Sequence, residues 1–190
     1  IGKKREAYPF LDFEHPITVG SYMNEPDLIN NRYQLHLAMH EVSKVLPALF
    51  EEYEKLSGRS YKTWEAYCCE DAETILVLLG SSFDTAMVAV DRLREQGEKV
   101  GVLTLTMLRP FPSEDIYNQL KDAKKIVIAD RQDSYGAIGG NLSIEIRAAL
   151  QKYGCVTDIS SIIYGLGGKD FYVEDAIEMF HSENNKLIYY

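Results

Sequence analysis

Four kinds of residue in this chain have the chemistry of a site: a histidine pair, cysteines, serines at the ends of apolar runs, and paired acids. His36 and His40 stand four apart, which on a helix puts both imidazoles on one face. The intervening Leu-Ala-Met supplies no HExxH glutamate and no third ligand is adjacent, so both are read as helix-surface histidines and no metal site is assigned. His15 and His181 fall in segments of no recognisable chemistry. Cys68, Cys69 and Cys155 form no CxxC, so the thiolate spacing that holds zinc or an iron-sulfur cluster is missing. Their odd number, and the adjacency of two, suit a reducing, cytoplasmic setting rather than a disulfide framework. Ser81, Ser82 and Ser134 lack the GxSxG elbow that exposes a nucleophile. The pairs Glu51/Glu52, Glu70/Asp71 and Glu174/Asp175 are neighbours in sequence, not an acid and a base facing one bond, and are read as solvation and helix-end charge. No catalytic residue is assigned.

Glycines between a strand and a helix raise a sharper question, because α/β proteins hold phosphates there. In DRQDSYGAIGGN, residues 130–141, the glycines at 136, 139 and 140 have neither the GxGxxG nor the GxxxxGK[ST] spacing. The earlier strand end, 80–82, reads GSS and fails the same test. These glycines are therefore expected to permit tight backbone turns, and no cofactor-binding residue is assigned.

The elements that must position these residues change character near residue 60. Residues 8–31 hold Pro9, Pro16 and Pro26 and no sustained period, which predicts an extended, wrapping segment. From 32 to 56, Leu35, Met39, Val42, Leu46, Leu49, Tyr53 and Leu56 fall at alternating steps of four and three. They predict a long helix with one buried stripe, kinked or split at Pro47 and stopped at Gly58. From residue 74 onward, apolar β-rich runs at 74–80, 99–107, 124–130 and 156–165 alternate with helical runs. The helices are headed by Ser81 or Ser82, by Ser113, and by Glu174-Asp175 in a first turn, and are ended by Gly97 and Gly154. Four strand-helix units predict an α/β fold: a three-layer α/β/α domain with a mostly parallel sheet and right-handed crossovers. Residues 1–60 are taken as linker plus amphipathic helix packing on the domain, and 61–190 as the domain itself.

In such a sheet the carboxyl ends of the strands share one edge. The loops there hold Gly80, Ser81 and Ser82; Arg109, Pro110 and Phe111; Arg131, Ser134 and Gly136; and Gly165, Gly167, Gly168 and Asp170. These are the candidate residues of a docking surface for neighbouring domains.

Composition narrows the partners. With 20 Lys and Arg against 29 Asp and Glu, the formal net charge of -9 argues against a phosphate-tracking nucleic-acid surface. The longest basic cluster, Lys3-Lys4-Arg5, is a solvated end. The strongest apolar run, 75–79, is strand length and far short of a bilayer span. A composition 46% hydrophobic with 13 Tyr and 7 Phe can bury a sizeable core. The chain begins Ile-Gly-Lys-Lys, which is read as a piece of something longer.

Three stretches together carry a resemblance: TILVLLGSSFDTAMVAVDRLREQGEKVGVLTLTMLRPFP, KKIVIADRQDSYGAIGGNLSIEIRAAL and SSIIYGLGGKDFYVEDAIEMF. In order and spacing, LRPFP, DR with its glycines, and GLGG with a following acid resemble the second domain of 2-oxoacid:ferredoxin oxidoreductases. In multi-subunit forms this is the C-terminal half of the α subunit. The upstream HPITVGSYMNEPDLINNRYQLHLAM resembles that subunit's joining segment, so the likeness runs from about His15 to Phe180. It implies a transketolase C-terminal-domain-like fold whose sheet has five strands, one antiparallel at an edge; the fifth would lie in 61–69 or near 187–190. It also implies an enzyme that uses thiamine diphosphate with magnesium, [4Fe-4S] clusters and coenzyme A. That enzyme converts 2-oxoacids to acyl-CoA and passes electrons to ferredoxin. No GDG-type diphosphate motif or cluster cysteine occurs here, so the fragment alone is expected to be inactive and to dock on the other α-subunit domain and on the β, γ and δ-type subunits. The competing readings are an independent nucleotide- or flavin-binding module and a non-redox interaction domain.

Overall fold

A computed structural model of the protein describes residues 2–3, 13–16, 20 and 22–190. Of the predicted extended segment 8–31, residues 8–12, 17–19 and 21 lie outside the described residues, as do Lys4 and Arg5 of the basic cluster, and 27–31 are helical, not extended. The chain divides into two compact units, Ile1–Glu41 and Val42–Tyr190. Helix α1 (Asp27–Ser57) begins directly after Pro26, five residues before the apolar period starts, with Asp27 in its first turn where a carboxylate meets the positive helix end. It runs through Pro47 as one helix and does not split, and Gly58, at a positive φ of 71°, closes it by donating its N–H to Glu54.

The predicted stripe is not buried: no residue of α1 is. Val42, Leu46 and Phe50 are half-buried, whereas Leu49, Tyr53 and Leu56 stay exposed. The Phe50 and Tyr53 rings approach Tyr61 at 6.4 and 5.6 Å.

The rest of the second unit is a six-stranded sheet between two helical layers. Its elements are β1 (Trp64–Tyr67), β2 (Thr74–Leu78), α2 (Ser82–Glu95), β3 (Val100–Leu105), α3 (Ser113–Leu120), β4 (Lys125–Asp130), α4 (Asn141–Lys152), β5 (Asp158–Ile163), α5 (Val173–Phe180) and β6 (Leu187–Tyr189). The spatial order is β1-β3-β2-β4-β5-β6. All neighbours are parallel except β1, which pairs antiparallel with β3 at the edge, Trp64 opposite Leu105. Both places foreseen for a fifth strand are strands, which brings the count to six.

The central strands are apolar at nearly every position because both faces are covered. Leu76, Leu78, Val102, Val127, Ala129 and Ile162 pack under α2 and α5, while Ile75, Val77, Leu103, Ile126 and Ile128 pack under α3 and α4. Helix α2 meets its layer through Phe83, Ala86, Val90 and Leu93, a helical period.

Those layers also fix the hands of the crossovers. The routes β2 to β3, β3 to β4 and β4 to β5 share one hand, but α5 lies on the α2 face while β6 continues in the direction of β4 to β5. The last unit therefore has the opposite hand, against the right-handed expectation. Gly165, Gly167 and Gly168, all at positive φ, turn the chain onto the other face before α5.

Candidate functional site

The carboxyl ends of β2, β3, β4 and β5 lie on one edge, and the chain's direction across the sheet switches between β2 and β4. This is where open α/β sheets bind ligands. All thirteen candidate residues sit in the loops of that edge or at the first turn of α2.

In the turn after β4 the first amides of α4 are held by the chain itself. Asp130, the last residue of β4, is buried, and its carboxylate accepts the N–H groups of Leu142 at 2.9 Å and Ser143 at 3.2 Å. The amides that begin α4, which would hold a ligand anion, already hold the chain's own. Burial raises the Asp130 pKa above the ordinary carboxylate value, outweighing the two N–H bonds that lower it. A side chain at 140 would put its Cβ 2.4 Å from Asp130 Cβ and Cγ, and one at 139 would meet the hydroxyls of Ser161 and Ser143 at 2.6 and 2.7 Å. Gly139 and Gly140 are there so that α4 can close on this carboxylate. Below it, Ser143 and Ser161 share a 2.6 Å hydrogen bond, and Arg147 donates to both hydroxyls and to the Ile159 carbonyl.

The loop tip is different. Ala137 donates its N–H to the Ser134 carbonyl across Tyr135 and Gly136, and Gly136 supplies the positive φ of 80° that a type II turn needs at its third position. The Ser134 hydroxyl bonds the Asn141 side chain and tethers the tip to the start of α4. The turn pushes Tyr135 and Ile138 outward, 93% and 64% exposed.

Tyr164, the residue after β5, organises three of the four loops. Its side chain is fully buried, and its hydroxyl donates to Ser82 at 2.9 Å. The Arg131 guanidinium stands 5.7 Å over its ring, and Phe171 packs against it at 5.0 Å. Arg131 also crosses Gly165, where a Cβ would lie 2.7 Å from its Nε and where φ is +65°. Ser82, Arg131 and Gly165 thus belong to one packed cluster. Ser82 spends its hydroxyl on Tyr164 rather than on capping α2, and Ser81 makes no capping bond either. Ser113 is likewise not a cap; Pro112 holds that position.

Arg109 reaches α4, donating to Glu145 and to the Leu108 carbonyl, and Phe111 is half-buried beside α3 and α4. Pro110 joins them by a cis peptide. Gly80, at φ +68°, makes the turn out of β2 and accepts the Phe83 N–H. Gly167 and Gly168 form a short 3-10 turn with exposed Leu166, and Asp170 accepts the Tyr172 hydroxyl at 3.1 Å. Among the described residues no group of three or more His, Cys, Asp or Glu is placed to hold a metal ion, and no helix is long and apolar enough to cross a membrane.

Sequence reasoning missed Asp130, Ser143, Arg147 and Tyr164, the residues that hold the edge together. An acid ending an apolar strand eleven residues before a helix start was the available signal for Asp130.

Known proteins resemble the chain as follows. The profile of the family described as "Pyruvate:ferredoxin oxidoreductase core domain II" matches residues 72–176, from the approach to β2 into α5. The pyruvate synthase subunit PorA of Thermotoga maritima is 38% identical over 185 residues, covering 97% of this chain and 47% of that protein. The ketoisovalerate oxidoreductase subunit VorA of Pyrococcus horikoshii is 36% identical over 173 residues, covering 90% and 44%. The chain spans about half the length of the curated relatives it matches. A solved 2-oxoglutarate:ferredoxin oxidoreductase from Magnetococcus marinus aligns with TM-score 0.49 at 25% identity, over 76% of this chain and 23% of that one.

Proposed function

Since the chain belongs to the pyruvate:ferredoxin oxidoreductase core domain II family, we propose that it is the second domain of a 2-oxoacid:ferredoxin oxidoreductase α subunit and works as a docking domain. In this reading 61–190 is the domain and 1–60 joins it to the rest of the subunit. The subunit acts in a cytoplasmic complex with β, γ and δ-type partners, oxidising a 2-oxoacid to an acyl-CoA and reducing ferredoxin.

Thiamine diphosphate, magnesium, [4Fe-4S] clusters and coenzyme A are what the family resemblance implies for the whole complex. The donors described here do not fit a cluster or a diphosphate: the three cysteines are not grouped with other ligands, and Asp130 takes the amides at the start of α4.

The observation that carries the docking role is the state of the switch-point edge. Its inward polar groups are satisfied within the domain, while its tips, Tyr135, Ile138 and Leu166, point apolar surface outward. An edge built this way suits a protein surface better than a small anion.

The test is Tyr135→Ser with Ile138→Ser in the full-length protein. Exposed residues of this kind leave the fold within about 0.5 kcal/mol. Assembly affinity is expected to fall roughly tenfold, about 1.4 kcal/mol, with 2-oxoacid-dependent ferredoxin reduction falling alongside it. Unchanged assembly and turnover would reject the docking role.

A further inference from the structure

The histidine pair, set aside on sequence for want of a third ligand, has a geometry in α1 that sequence spacing does not convey. His36 and His40 are both exposed, and their Nε2 atoms converge to 3.1 Å. Their rings meet edge-on, centroids 4.5 Å apart and planes at 78°. Helical spacing alone brings two side chains near each other; it does not aim the same nitrogen of each at one point. Where two imidazole nitrogens each lie about 2.0–2.1 Å from one metal ion, as in known histidine sites, a separation near 3.1 Å corresponds to an angle of about 98° at the ion. That is an adjacent-ligand angle in tetragonal or octahedral coordination.

We propose that His36 and His40 form a two-imidazole site for a borderline divalent transition-metal ion on the exposed face of α1. Imidazole nitrogen suits nickel, copper and zinc, and excludes magnesium and calcium, which need oxygen ligands. The pair supplies two ligands, and its exposure leaves the rest of the shell to solvent oxygen. The ion replaces the Nε2–Nε2 hydrogen bond, and each imidazole binds it through a ring-nitrogen lone pair. Bridging residues one turn apart, it also holds the local helix.

The test is calorimetric titration of the full-length protein with nickel chloride, beside His36→Asn, His40→Asn and the double variant. In parallel, copper(II) electron paramagnetic resonance at one equivalent reads the ligands directly. Wild type is expected to bind nickel at least about tenfold more tightly than either single variant, the scale on which metal sites respond to loss of an orienting or ligating group. The copper spectrum is expected to show splitting from two nitrogens that is lost in both variants. Equal nickel affinity in wild type and the double variant would overturn the site, placing the ion on other donors. A copper spectrum unchanged by either substitution would overturn it as well, and it does so independently of any effect of the variants on folding.

Discussion

At the scale of single residues, Asp130 takes the first amides of α4 at the switch-point edge. Its carboxylate caps the helix that follows, and Gly139 and Gly140 exist to let it. Asp130→Ala leaves two buried N–H groups without partners, and a loss of about 1–3 kcal/mol is expected in urea denaturation. The pH dependence has a definite sign. Because the folded pKa is raised, the folded state holds more protons than the unfolded state between the ordinary value near 3.8 and the raised one. The contribution of Asp130 is therefore complete below the ordinary value and shrinks as pH rises through the folded pKa. Measured across that window, the stability of wild type relative to Asp130→Asn should fall with rising pH; a difference that grows would contradict the raised pKa. Cys69 gives a second residue-level expectation. Burial pushes its thiol up to about 12, so at pH 8 only about one in ten thousand is thiolate. A thiol reagent under native conditions should leave Cys69 unmodified until the protein is unfolded, whatever Cys68 and Cys155 do. None of this was legible as a motif. The glycine spacing matches no nucleotide fingerprint, but the partners that require Gly139 and Gly140, Asp130 and Ser161, lie 9 to 22 positions away and meet them only once β4, α4 and β5 have assembled.

At the scale of elements, period and punctuation located the strands and helices well because each is a local signal. Helix α3 and helix α5 occupy the residues their first-turn acids announced, and Gly97 and Gly154 end their helices at positive φ. What period could not convey is how much of an apolar face is covered, so the stripe of α1 was expected to be buried and is not. Nor could it distinguish two strands from one among the two candidates for a fifth. The second of these, β6, has a job the sequence did not announce. Tyr189, in register with Ile163, donates its hydroxyl to Asp133 at 2.8 Å, and the ring of Tyr190 lies under Lys169 at 4.3 Å while packing on the α2–α5 core. One short edge strand thus braces two of the four loops. Tyr190→Ala removes the packing and is expected to cost about 1–2 kcal/mol. Tyr189→Phe removes a single exposed hydrogen bond and should change stability by less than about 0.5 kcal/mol. Paired chemical denaturation of the two variants separates the roles; equal effects would mean that β6 does not brace the loops through Tyr190.

At the scale of the whole molecule, the four loops behave as one surface. Tyr164 ties the β2, β4 and β5 ends together, Arg109 ties the β3 end to α4, and β6 fastens the outer side. In the proposed docking role, a surface so braced from beneath, with Tyr135, Ile138, Leu166 and Tyr172 exposed above, would have little conformational entropy to lose when covered. The chain's relatives are about twice its length, so cover can come from the same subunit or from another. Hydrogen exchange reads the cover without assuming which. In the chain by itself, amides at the tips, 133–138 and 165–170, are expected to exchange fast, since few of their N–H groups are held by buried bonds. In the assembled full-length protein the same amides should slow by roughly tenfold or more, whereas those of β2 and β4, already buried on both faces, should change little. Slowing confined to the central strands would mean that assembly stabilises the sheet globally without seating anything on this edge. Tips that exchange equally fast in both states would mean that the edge faces solvent in the complex and that docking uses another face of the domain.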